Sequence, residues 1–63
     1  MTNTIQNNLE NMRQKIRETL KNGTVTNVGT FTHWDESGAA HFITANGRKG
    51  WTGRNALHLI QVR

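Results

Sequence analysis

The stretch Ala40-His41-Phe42-Ile43-Thr44-Ala45-Asn46-Gly47-Arg48-Lys49-Gly50-Trp51-Thr52 decides the fold. An Asn-Gly pair between two runs rich in Phe, Ile, Trp and Thr is the strongest short-range signal for a β-hairpin. Read as a two-residue turn, Asn46-Gly47 sets Phe42 opposite Trp51 and Thr44 opposite Lys49. Towards the N-terminus, Asp35-Glu36-Ser37-Gly38 reads as a second turn, with a glycine free to take a positive φ. If that turn pairs Trp34 with Ala40, His33 faces His41 and Thr32 faces Phe42. Side chains alternate between sheet faces, which puts Trp34, Phe42 and Trp51 on one face and Phe31, His33, His41, Ile43, Arg48 and Thr52 on the other. The first face reads as core, because the chain has only two Trp, two Phe and no Tyr, and large aromatics bury the most area per residue. The second face is mixed and basic, a candidate recognition surface. A one-residue slip in register exchanges the two.

Outward from the hairpin, Thr24 to Trp34 reads as extended, with Gly29 marking a bulge or bend where the apolar alternation breaks. Downstream, Gly53-Arg54-Asn55-Ala56 reads as a short turn and Leu57 to Val62 as a last strand. Residues 24–62 therefore predict four or five short antiparallel strands. The composition changes at Lys21-Asn22-Gly23. Before it, Ile5, Leu9, Met12, Ile16 and Leu20 recur at steps of four, three, four and four. At about 100° per residue that is a stripe roughly 80° wide, the mark of an amphipathic helix over about residues 4–21. Asn3 with Gln6 resembles a capping box, and Asn22-Gly23 is a stop signal. The expectation is a single α+β domain over residues 1–63. A stripe this narrow is read first as docking on the sheet, with a seam for homo-oligomerisation as the alternative. Glu10 with Arg13 and Glu18 with Lys21 have the spacing of solvated helical ion pairs.

With 63 residues, 33% of them hydrophobic, there is material for one core only. A domain of about 60 residues buries only about 60% of its unfolded surface and is marginal. No cysteine is present to staple it. No run of ten apolar residues occurs, and Met1-Thr2-Asn3-Thr4 lacks the basic and apolar regions of a signal peptide, so a cytoplasmic protein without a membrane partner is expected. The formal charge of +4 favours an anionic partner.

Residues 45–60, from Ala45-Asn46-Gly47-Arg48-Lys49-Gly50-Trp51 through Asn55, Leu57 and Ile60, resemble the end of an SH3 domain. There a distal hairpin is followed by a glycine-aromatic strand, a short 3₁₀ turn and a closing strand. The resemblance implies an SH3-like small β-barrel, or part of one. It does not imply proline-rich peptide binding: the proline and tyrosine of the SH3 groove are matched here by Gly53 and Ala56. The first SH3 strand and its long RT loop are missing, with the N-terminal helix in their place. SH3-like barrels also include RNA-, DNA- and ribosome-associated modules, which the basic charge of this chain resembles more than it does signalling domains.

Catalysis is not expected. Ser37, the only serine, lies in a turn, and Glu10 and Glu18 are too far apart in sequence to pair by local spacing. Gly47-Arg48-Lys49-Gly50 lacks the spacing of a phosphate-binding P-loop, and no cofactor motif is present. Cross-strand His33 and His41, with Asp35 or His58, have the residue types of an open zinc site, but turn-proximal histidines are commonly solvated and no metal site is assigned. Nucleic-acid binding, to RNA or DNA, is the leading expectation: beyond Glu36 the chain has Arg48, Lys49, Arg54 and Arg63 and no acidic residue. His33 and His41 belong to the same candidate surface, and Trp51 or Phe31, where exposed, is suited to stack on an unpaired base. The alternative is a small regulator or inhibitor, of a kind viruses and mobile elements encode, that docks on an acidic protein through Leu9, Met12, Arg13, Ile16 and Arg17.

Overall fold

The computed structural model describes residues 2–63, with side chains from Asn8 onward, so the expected Asn3–Gln6 cap and the Ile5 side chain lie outside the described residues. The chain runs through helix α1 (Thr2–Thr19), strands β1 (Thr30–Trp34), β2 (Ala40–Ile43) and β3 (Lys49–Thr52), and a 3₁₀ helix (Arg54–Leu59). The strands form one open antiparallel sheet in the order β1-β2-β3. Among the described residues it has three strands where four or five were expected.

Both hairpins close in the same way. Asp35 N–H donates to Ala39 O (3.0 Å) and Gly38 N–H to Asp35 O (3.1 Å); Thr44 N–H donates to Arg48 O (2.8 Å) and Gly47 N–H to Thr44 O (2.9 Å). Each is a three-residue loop ending in a glycine at positive φ, +86° at Gly38 and +80° at Gly47. In each, a side-chain oxygen of the first residue accepts the closing N–H: Asp35 Oδ1 from Ala39 (3.0 Å), Thr44 Oγ1 from Arg48 (3.2 Å). A two-residue type I′ turn at Asn46-Gly47 requires positive φ at both residues. Among the described residues only glycines have it. The extra loop residue moves the register by one, pairing Ala40 with Thr52, His41 with Trp51, Phe42 with Gly50 and Ile43 with Lys49. Trp51, expected in the core, therefore points outward and is 68% exposed.

Across β1 and β2 the expected pairs Trp34–Ala40 and His33–His41 form, and then the register shifts between Phe31 and His33. Thr32 is the extra residue of this bulge. The shift brings Phe31, and not Thr32, opposite Phe42 and turns Phe31 from its expected outward position into the core, where it is 2% exposed. Three aromatics still share the inner face, with Phe31 in the place expected for Trp51. The Phe31 ring centre lies 5.1 Å from that of Trp34 and 5.7 Å from that of Phe42, tilted and edge-on respectively.

Leu20, Ala40, Leu57 and Ile60 complete the buried cluster, with Ile16, Val28 and Trp34 packed against it. Phe42 and Leu57 are its largest fully buried side chains, and burial of each contributes about 1.5–3 kcal/mol. Helix α1 packs on the 3₁₀ helix, so the helix closes one side of the small core. It ends at Thr19, two residues before the expected boundary, and Gly23 serves the following turn, where its N–H donates to Phe31 O (2.9 Å). The expected strand Leu57–Val62 is instead a 3₁₀ helix to Leu59 and a single bridge from Val62 to Thr26. Leu57 and Ile60 are buried while Leu59 is exposed, a three-residue spacing that suits a 3₁₀ turn and breaks the alternation of a strand.

The C-terminal segment is held by side chains. Asn27 Nδ2 donates to Leu59 O (3.1 Å), and Asn27 Oδ1 accepts from Gln61 N–H (2.8 Å). Next to it the buried Thr26 hydroxyl donates to Gly29 O (2.9 Å) and accepts from the N–H groups of Val28 (3.1 Å) and Gly29 (3.2 Å). Fully used polar groups of this kind give a chain with no disulfide its local rigidity.

Candidate functional site

Because the sheet is open and α1 packs on the 3₁₀ helix, the outer face of the sheet is free to carry chemistry. Alternation along each strand puts Thr30 and His33 of β1, His41 and Ile43 of β2, and Lys49 and Trp51 of β3 on this face. The register aligns three of them in a row across the strands: His33 opposite His41, and His41 opposite Trp51. The two imidazoles stack with ring centres 4.6 Å apart and planes 6° from parallel. Beside them a cleft of about 500 Å³ is lined by Thr32, His33, His41, Phe42, Ile43 and Lys49. The Trp51 indole lies against residue 53, where even a Cβ would meet Trp51 Cζ3 at an ordinary contact distance of 3.5 Å.

Hydrogen bonds fix the two imidazoles. The Thr32 hydroxyl lies 3.0 Å from His33 Nδ1 and 3.2 Å from His41 O, and so ties the His33 ring to the neighbouring strand. His41 Nε2 lies 2.7 Å from Asp35 Oδ2, and a carboxylate can only accept, so this nitrogen carries its proton toward Asp35.

Asp35 is the anchor of the arrangement. Its Oδ1 accepts from the Ser37 hydroxyl (2.7 Å), the Ser37 N–H (2.8 Å) and the Ala39 N–H (3.0 Å). The Ser37 hydroxyl, then His41, then the Ala39 N–H hold its carboxyl well below its ordinary pKa of 3.8. A carboxylate whose pKa is depressed in the fold adds stability that is complete above its unfolded pKa and is lost as pH falls through the lower folded value. Acid titration followed by circular dichroism is therefore expected to show the protein losing stability below about pH 4. The Asp35→Asn variant is expected to be less stable at neutral pH and flatter across the acid range. Parallel acid curves for the two proteins would contradict this role.

The other residues expected to contact nucleic acid do not all join this face. His33, His41 and Lys49 line the cleft, and Arg48 is the exposed neighbour of Lys49 at the loop. Arg54 instead lines a groove with Glu10, Arg13, Arg17 and Asn55, and Arg63 lies beside Val25 and Ala45 at another edge. Phe31, buried, is not available to stack. On the helix, Ile16 packs against the core and Leu9 is half-buried, whereas Met12 is 50% exposed. Arg13, with its side chain only 14% exposed, takes the inward position expected for Met12. Its Nη2 donates to Asn55 O (2.8 Å), and its Nη1 pairs with Glu10 Oε1 (2.8 Å). The Glu10–Arg13 pair thus forms as expected, while the contact of Arg13 to the 3₁₀ helix has no signal in the sequence.

His33 and His41 stack face to face, so their nitrogens do not converge on one point, and among the described residues no group of three His, Asp or Glu is arranged to hold a metal. Among the described residues, no helix is long and apolar enough to cross a membrane. Comparison with protein-family models, with curated proteins and with solved structures finds no match.

Proposed function

We propose that this chain is a small, non-enzymatic module that binds single-stranded nucleic acid, RNA or DNA, across the outer face of its sheet. The observation that carries the reading is the aligned row His33–His41–Trp51 beside Lys49, with Trp51 exposed on a strand and not on a loose loop. The exposed Trp51 indole, on the same face as Lys49, meets the two needs of single-strand binding, which are stacking for a base and positive charge for the phosphates, while His33 and His41 cover each other's ring faces and leave their edges to the ligand. The cleft of about 500 Å³ falls within the usual range of small-ligand pockets. Lys49 and Arg48 then contact the backbone. The further proposal that the fold is a shortened SH3-like barrel is supported by the order hairpin, 3₁₀ helix and Thr26–Val62 bridge, with α1 standing where the first strand and RT loop are missing.

Fluorescence titration with a single-stranded oligonucleotide over a range of salt concentrations tests the reading. Affinity is expected to fall with salt, and Arg48→Ala and Lys49→Ala are each expected to reduce the slope of log K against log salt by about 0.7. Binding indifferent to salt, or none at low salt, would remove the proposal.

Met12, half exposed on the outer side of the helix stripe, supports the second reading, a regulator that docks on an acidic protein. In that case Met12→Asp abolishes partner capture while the sheet-face variants leave it intact.

A further inference from the structure

Where α1 meets the 3₁₀ helix, a groove of about 260 Å³ is lined by Glu10, Arg13, Arg17, Arg54 and Asn55. Three guanidinium groups thus face one carboxylate. Glu10 is engaged by Arg13 Nη1, and Arg13 Nη2 is held on Asn55 O, so Arg13 is a fixed and partly neutralised wall. Arg13 Nε is buried and has no hydrogen-bond partner among the described residues. Arg17 and Arg54 approach from the helix and from the 3₁₀ segment, both exposed, and neither pairs with a carboxylate among the described residues. Arg17 spends one Nη2 proton on Gln14 Oε1 (2.9 Å). Each guanidinium has five N–H donors, so the groove retains a large surplus of donors over acceptors.

We infer that this groove is an oxyanion site that takes a phosphate group between Arg17 and Arg54, with Arg13 as its fixed wall. The planar fork of arginine matches two phosphate oxygens at once, and two mobile forks beside a fixed one suit a tetrahedral tri-oxygen face. The volume exceeds several times the roughly 30 Å³ occupied by one water, so a hydrated phosphate fits. Two sources share this chemistry, a free inorganic phosphate and a backbone phosphodiester of a nucleic acid. The groove lies on α1 and the 3₁₀ helix and shares no residue with the sheet face, so it stands or falls independently of the reading given above.

The test is a titration of the ¹⁵N-labelled full chain with inorganic phosphate, and separately with an oligonucleotide lacking terminal phosphates, following the arginine Nε–Hε resonances. Saturable shifts of the Arg13, Arg17 and Arg54 signals are expected, with a Kd of about 1 mM or tighter. Saturation by inorganic phosphate identifies a free-phosphate site, and saturation by the oligonucleotide identifies a backbone contact. Arg17→Ala and Arg54→Ala, both at exposed positions, are each expected to weaken binding about tenfold with an unchanged melting temperature. Glu10→Gln is expected to tighten it, since it removes the carboxylate that competes for Arg13. Absence of saturation with both probes overturns the inference, as does saturation that survives in the Arg17→Ala/Arg54→Ala double variant.

Discussion

Replacing Gly29 with alanine is expected to lower the melting temperature by about 10–30 °C. A Cβ at this position would come 2.6 Å from Ile43 O, 3.0 Å from Ile43 C and 3.2 Å from Thr44 Cα, all of them backbone atoms at the end of the central strand. No side chain can swing aside, so β2 itself must move, and with it Phe42, which is 1% exposed. Gly29 O also accepts from the Thr26 N–H (2.8 Å) and the Thr26 hydroxyl (2.9 Å), so a displaced residue 29 disturbs the turn that precedes β1. Overpacking typically costs about 1–3 kcal/mol, occasionally more, and the unfavourable φ adds about 1 kcal/mol or more. For a domain this small each kcal/mol moves the midpoint by roughly 4–8 °C, against a total stability of roughly 3–9 kcal/mol. Gly47→Ala is the control. It carries the strain of φ +80° but meets nothing within 4 Å, so a smaller loss of about 1–2 kcal/mol is expected. Equal losses for the two variants in thermal unfolding would mean that the contact with β2 is unimportant.

Trp51→Ala is expected to weaken binding of a single-stranded oligonucleotide about 5- to 150-fold, since stacking on an aromatic side chain contributes about 1–3 kcal/mol per base. The same change is expected to leave thermal stability within about 0.5 kcal/mol, because the side chain is exposed and forms no part of the buried cluster. It removes no charge, so the salt dependence of binding is expected to stay as it was. Trp34→Ala has the opposite signature. Trp34 packs against the core and on Phe31, and truncation there is expected to destabilise the fold. A Trp51→Ala protein that binds like the parent would show that Trp51 does not stack on a base.

The helix, both hairpins and the first turn were legible because each rests on a local pattern. Apolar spacing marks α1, and the glycines of the two loops mark where the strands reverse. What was not legible depended on single-residue offsets that tertiary contacts decide. Asn46-Gly47 is compatible with a two- or a three-residue loop, and only the backbone at Asn46 distinguishes them. That one residue determines whether Trp51 is core or surface, and so whether the outer face is a stacking surface at all. The bulge at Thr32 is a second offset, and it moved Phe31 inward. Its functional counterpart is the Thr32 hydroxyl, which bridges His33 and His41 O and could not be placed without the bulge. Arg13 is a third case. Helical spacing puts Met12 on the apolar stripe, yet the 3₁₀ helix offers Asn55 O to a donor, and the helix docks with arginine inward. Leu57 to Ile60 carried a visible clue, the three-residue separation of two leucine-type positions, but the surrounding strand-like composition outweighed it.

Whether the outer face of the sheet binds nucleic acid can be read from resonance mapping of the ¹⁵N-labelled chain during titration with a short single-stranded oligonucleotide. The expected result is a saturable shift of the Trp51 indole N–H and of the His33, His41 and Lys49 signals, with the Trp34 indole N–H nearly unmoved. No saturable shift at low salt, or shifts confined to Leu9, Met12 and their neighbours on α1, would contradict it.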